Sequence, residues 1–219
     1  MTREARDRYG SPAKLAACVA RGPGSGAELF LVEGDSAAAA VAGVRDPVIQ
    51  AVLPMQGKPL NASRASRDRV LAHPFFGPLV AALEVGVETD CDAAALRYER
   101  VLVLTDPDAD GIHCGFLVLR FFHRWLTPLL DAGRVEVVRP PWGEVVVNGR
   151  PTLAFSEPEL AGLAESGRDR GLITVRRFRG LAALDAAVLR ETCVAVGTRR
   201  TDVVSAADVA AMIELVDHL

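Results

Sequence analysis

The segment Arg100-Val-Leu-Val-Leu-Thr105 constrains this chain most: four consecutive aliphatic residues lack the polar alternation of a strand with one face in water. Such a run is stable only when covered on both sides, as in a parallel sheet between helices. Glu28-Leu-Phe-Leu-Val-Glu33 and Val48-Ile-Gln-Ala-Val-Leu53 have the same character. The expected fold is therefore α/β, with a mainly parallel sheet flanked by helices.

The intervening segments supply those helices. Gly34 permits a tight turn after Glu33, and the Ala-rich stretch from Asp35 to Val44 reads as a helix with Asp35 or Ser36 as its N-cap. After Gly111, Leu119, Phe122, Leu126 and Leu129 recur at helical spacing, with Arg120, His123 and Arg124 towards the other side and Gly133 as the stop. Arg134 to Val138 is a fourth strand candidate, and Glu144 to Val147 before Asn148-Gly149 reads as one arm of a hairpin. Three regions are expected: a lead-in over 1–27, an α/β domain over 28–150, and a small, partly helical tail over 151–219.

Composition narrows the function. With 219 residues, half of them apolar, the chain holds enough interior to fold. A formal net charge of -3 argues against coating nucleic acid by bulk electrostatics, so any DNA contact must be local. Cys18, Cys91, Cys114 and Cys193 form no C-x-x-C pair and read as reduced thiols. The first ten residues do not read as a secretory leader, and no apolar stretch approaches the roughly 18 residues that span a bilayer, which points to the cytoplasm and to no membrane partner.

The chemistry concentrates after the apolar strands. Asp106, Asp108 and Asp110 follow the third strand at intervals of two, and an extended chain would project them from one face roughly 6–7 Å apart. Clustered carboxylates repel and raise one another's pKa unless a hard divalent cation or a base neutralises them, and magnesium suits such oxygen ligands. A polar turn after a buried strand accounts for the same residues. An EF-hand does not, because with Asp106 at loop position one its twelfth position is Leu117 rather than Glu. Glu33 stands at the end of another strand, where ligands of open α/β sheets collect.

The motifs Glu33-Gly-Asp-Ser-Ala37 and Thr105-Asp-Pro-Asp-Ala-Asp-Gly-Ile-His113 closely resemble those of the Toprim domain in the B subunits of type IIA DNA topoisomerases, bacterial DNA gyrase and topoisomerase IV. The resemblance takes in Ser11 to Cys18, Leu53 to Asn61, Leu96-Arg-Tyr98 and Arg139-Pro-Pro141, in order, over residues 11–147. A fainter likeness continues at Arg176-Arg-Phe-Arg-Gly-Leu181 and Glu191-Thr192.

That resemblance implies a Toprim fold in which Glu33 acts as general acid or base. Asp106, also a catalytic residue, would bind Mg2+ with Glu33, Asp108 and Asp110 beside the scissile phosphate. Lys58 and Asn61 match positions that contact DNA, and His113 could reach phosphate or a carboxylate; each also reads as an ordinary polar residue. The implied partners are double-stranded DNA, a gyrase A-like subunit carrying the catalytic tyrosine, and a separate ATPase subunit. Tyr9 and Tyr98 are poor candidates for that nucleophile. No G-x-x-x-x-G-K-[ST] loop is present, and Gly22-Pro-Gly-Ser-Gly26 leads into a strand rather than a helix, so ATP binding is not expected. Gln56, Gly115 and Glu144 stand where the family usually has basic residues, while Ala182 and Ala183 replace its Gly and acidic residue. These losses weaken phosphate attraction and leave two alternatives: a catalytically weak paralogue that binds DNA or topoisomerase subunits, or a stand-alone Toprim nuclease.

Overall fold

The computed structural model describes residues 12–168, 171 and 173–218. Tyr9, Ser11, Leu172 and most of the expected lead-in's first half lie outside them. In chain order the described elements are β1 (Glu28–Glu33), α1 (Gly34–Val44), β2 (Gln50–Met55), α2 (Arg67–Leu71), α3 (Phe76–Leu83), β3 (Arg100–Leu104), α4 (Ala109–Trp125) and α5 (Thr127–Asp131). There follow β4 (Val135–Val138), β5 (Gly143–Val147), β6 (Arg150–Ala154), α6 (Glu157–Arg168), β7 (Ile173–Arg177), α7 (Ala186–Leu189), β8 (Thr201–Val203) and α8 (Ala206–Asp217).

The main sheet has the order β2-β1-β3-β4-β8. Its first four strands are parallel, and β8 runs antiparallel to β4. The apolar strands alternate between two interiors, as a period of two requires. Leu29, Leu31, Val101 and Val103 face a core shared with Phe76, Phe121, Phe122 and Trp125. Phe30, Val32, Leu102 and Leu104 face a second core closed by α1 and by Phe178, Leu181, Leu184 and Cys193. In the first core Phe76 and Phe121 stack with centroids 4.2 Å apart, and the Trp125 indole donates to the Ala62 carbonyl at 3.0 Å.

The structure corrects several expectations. The helix after β1 begins at Gly34, with Glu33 rather than Asp35 or Ser36 at its cap, because Gly34 (φ 75) reverses the chain directly at the strand end. The long helix begins at Ala109 and breaks at Leu126, ahead of Pro128, so the run to Gly133 is two helices. Arg120, expected on the polar side, is buried under α8, where it donates to Ser63 Oγ (2.9 Å) and pairs with Asp217. The acidic run is not extended, as described below.

The C-terminal region differs from a tail. The boundary at residue 150 falls within the β5–β6 hairpin, which turns at Asn148-Gly149 and belongs to a second sheet of order β6-β5-β7. Beyond it, residues 178–194 form one wall of the second core, on the α1 face of the main sheet, and β8 extends that sheet. Arg199 reaches back to Glu28 on β1: one guanidinium nitrogen donates to Oε2 at 2.7 Å and the other to Oε1. Gln50 Nε2 donates to the same carboxylate (2.9 Å) and to the Val194 carbonyl (2.8 Å). Among the described residues no helix is long and apolar enough to cross a membrane.

Candidate functional site

β1 and β3 are neighbours in parallel register, Val32 opposite Leu104, so the chain leaves both strands at one edge of the sheet. Glu33 is the last residue of β1, and Asp106 lies two residues beyond β3. Adjacent strands lie about 4.8 Å apart. This is the carboxyl end of a parallel sheet, where backbone turns outward and side chains gather around a ligand.

The acidic run wraps rather than extends. Asp108 is the N-cap of α4, accepting from the Gly111 amide at 2.9 Å, so its carboxylate is turned back onto its own helix. Gly111 permits this tight return: a Cβ there would stand 2.2 Å from the Asp106 carbonyl oxygen. Asp110, in the first turn, is exposed and pairs with Lys58 at 3.0 Å. Asp106 is half-buried, and its Oδ1 accepts from the Leu181 amide at 2.8 Å.

Glu33 is the most unusual of these groups. Its Oε1 accepts from the Cys114 thiol at 3.6 Å, and its Oε2 is buried with no hydrogen-bond partner. Burial, then the nearby charge of Asp106 and the lesser influence of Asp108 and Asp110, hold its carboxyl above the usual range, against a smaller opposing effect of Cys114. Asp106 is also raised, mainly by burial and further by Asp108, with the Leu181 amide opposing. Burial first, then Glu33, pushes the Cys114 thiol up to about 11. The charges of the aspartates thus act on Glu33, and that of Asp108 on Asp106.

A pH dependence follows. A carboxyl whose folded pKa exceeds its unfolded one binds extra protons in the folded state, so stability falls as pH rises through the window between the two values. For Glu33 that window opens near its ordinary 4.5 and runs upward, and the penalty is complete above the folded pKa. Urea unfolding across a pH series should therefore show Glu33→Gln gaining on the parent as pH rises from that point. A difference independent of pH, or one of opposite sign, contradicts the assignment.

The donor set fits a hard divalent cation. It is all carboxylate oxygen, and an orphaned buried Oε2 in the field of three aspartates is chemically suited to such a cation. Among the described residues no three His, Cys, Asp or Glu side chains converge closely enough to hold an ion. Magnesium keeps several of its waters and needs only one or two protein carboxylates, a demand that does not require a closed cage.

The other predicted residues are placed less uniformly. Lys58 is at the acidic corner through Asp110, which holds its ammonium above the usual range. Asn61 caps the turn at Ala62–Arg64, its Oδ1 accepting from the Ser63 amide at 3.2 Å. His113 is exposed three residues beyond Asp110, on the same side of α4. Tyr98 is fully buried, its hydroxyl pushed up to about 12 mainly by burial. Gln56 donates to Asp35 at 3.3 Å, alongside Lys14 at 2.7 Å, and Glu144 pairs across the small sheet with Arg176 at 3.6 Å.

Cys114 and the Gly180-Leu181 backbone were missed by sequence reasoning. Cys114 lies four residues beyond Asp110, one turn along α4, a spacing that signals a shared helix face once the helix start is known. Leu181 contributes a backbone amide from 75 residues away, for which side-chain patterns carry no signal.

Residues 28–140 match the family described as the Toprim domain. The DNA gyrase B subunit of Treponema pallidum is 36% identical over 186 residues, which cover 85% of this chain and 29% of that protein. Its counterpart in Mycolicibacterium smegmatis is 35% identical over 219 residues, covering 97% and 32%. That of Staphylococcus aureus is 35% identical over 190 residues, covering 87% and 29%. The chain spans under a third of the length of these relatives.

Proposed function

The chain belongs to the Toprim domain family, and from that premise we propose that it serves as the Toprim part of a type IIA DNA topoisomerase of the gyrase B kind. In this reading it supplies the carboxylate site at which double-stranded DNA is cut and rejoined. The observation that carries the proposal is that Glu33 and Asp106 follow neighbouring parallel strands at one sheet edge, with Oε2 of Glu33 buried and unpartnered.

The roles follow from the environments. In this reading Glu33 gives a proton to a leaving sugar oxygen and recovers it on religation. Asp106 and Glu33, joined by Asp108 or Asp110 on local rearrangement, would hold Mg2+. When bound, that ion supplies electrostatic stabilisation of negative charge on the phosphate and leaving oxygens. Lys58 positions a backbone phosphate without reading sequence, with His113 and Asn61 as further contacts.

The nucleophile comes from elsewhere. Tyr98 is sealed in the core, which supports assigning the attacking tyrosine to a gyrase A-like subunit, where a phosphotyrosyl link would conserve the bond energy for religation. A separate ATPase subunit or segment would drive the cycle, and the cytoplasm is where such a protein meets chromosomal DNA.

One observation favours the reading as a paralogue that binds without cutting. Gln56 and Glu144 occupy positions where basic residues are usual, and Glu144 neutralises Arg176. Each lost phosphate contact lowers DNA affinity.

Incubating the purified chain with supercoiled plasmid and Mg2+, with and without a gyrase A-type subunit, and then denaturing the mixture tests these readings. Protein-linked breaks that require the A-type subunit are the expected result. Unlinked nicks made by the chain alone would indicate a water-using nuclease, and no breaks with any A-type subunit would leave the binding paralogue.

A further inference from the structure

We infer that the backbone of Gly180-Leu181, far outside the strand motifs, is a positioning device for Asp106 that aims its carboxylate at the metal. The inference rests on the metal role proposed above for Asp106. Leu181 N–H donates to Asp106 Oδ1 at 2.8 Å, which occupies one oxygen and restrains the orientation of the carboxylate. Groups that orient a ligating carboxylate in this way tune a metal site without touching the ion.

Gly180 makes the contact possible. A Cβ at that position would lie 3.0 Å from Asp106 Oδ2, tighter than most real contacts, and would push against the second oxygen. The backbone of Gly180 is extended (φ -169, ψ 160), a conformation any residue adopts, so the constraint lies in the approach to Asp106 and not in the dihedral angles. The segment is anchored independently: Leu181 is fully buried, and Phe178 and Leu184 on either side pack into the same core as Val32 and Leu104 of β1 and β3. The core that covers the sheet therefore presents an amide at a defined place beside the site. Asp106 is a ligand in this scheme, and Gly180 and Leu181 act only through it.

Comparing Leu181→Pro with Leu181→Ala separates the amide from the packing. Leu181→Ala removes most of the buried side chain and keeps the N–H, whereas Leu181→Pro keeps three apolar ring carbons and replaces the N–H by one of them, and an extended residue before it is what proline favours. Manganese(II), titrated alone into the full chain and read by electron paramagnetic resonance, reports the site without any cleavage reaction. Leu181→Pro is expected to bind about 10–100-fold more weakly than Leu181→Ala. Gly180→Ala should weaken binding in the same direction while unfolding in urea as the parent does. Equal manganese affinities for the proline and alanine variants, with binding still lost in Asp106→Ala, overturn the positioning role and leave the proposed function standing. Binding by the parent that is indifferent to Asp106→Ala overturns the metal role of Asp106, and the positioning role falls with it.

Discussion

Replacing Glu33 by alanine should reduce protein-linked plasmid breaks by about 10²–10⁴-fold, the range by which a positioned general acid or base accelerates such steps. The carboxyl stands at the end of β1, one oxygen on Cys114 and the other buried with no partner. Such a group costs stability when ionised, since neither water nor a protein donor solvates Oε2. Its removal should consequently leave the chain as stable as the parent or more so at neutral pH, and the urea midpoint is the control. This opposition of signs separates function from folding: a residue kept for packing loses stability and activity together, whereas Glu33 should lose activity alone. Glu33→Gln keeps the shape without the charge or the transferable proton and should be nearly as inactive. A variant that cuts within a fewfold of the parent, in the presence of the A-type subunit, removes Glu33 from the chemistry.

The second large effect is on folding. Arg199→Ala should lower the unfolding free energy by about 3–5 kcal/mol, because it leaves the Glu28 carboxylate charged and unpaired in the interior. Glu28 is 2% exposed and the Arg199 side chain 4%, and the two meet through two guanidinium nitrogens. Gln50 cannot compensate, since its amide already serves both Glu28 and the Val194 carbonyl. The pair links the C-terminal region to the first strand of the sheet, so urea unfolding should remain one transition in the parent. Replacing both partners by apolar residues, Glu28→Leu with Arg199→Met, should cost far less than Arg199→Ala, because no buried charge is then left over. A loss below about 1 kcal/mol for Arg199→Ala, the scale of an exposed ion pair, would show that the C-terminal region does not depend on this contact.

Much of this protein could be read from residue order. The unbroken apolar runs at Glu28–Glu33 and Arg100–Leu104 are both strands, and both pair in parallel, because a segment with no polar face has to be covered twice. The hairpin at Asn148-Gly149 was legible for a local reason, the turn chemistry of two residues with positive φ. The membership in the Toprim family was legible because its motifs sit at the two strand ends, where spacing along the chain and proximity in space coincide. The conformation of the acidic run was not. Intervals of two suit an extended chain, yet the side chain of Asp108 captures the Gly111 amide and starts a helix there, a competition between local hydrogen bonds that spacing does not decide.

Residue order by itself determined a covered parallel sheet with Glu33 and the aspartates at its carboxyl edge, since hydrophobic period and strand ends are properties of short segments. Tertiary structure alone decided that residues 178–194 wall the core, that Arg199 neutralises Glu28 across 171 residues, and that a backbone amide at Leu181 holds Asp106. Those contacts depend on where distant segments meet. A polar C-terminal stretch reads as a tail until the sheet face it must cover is known.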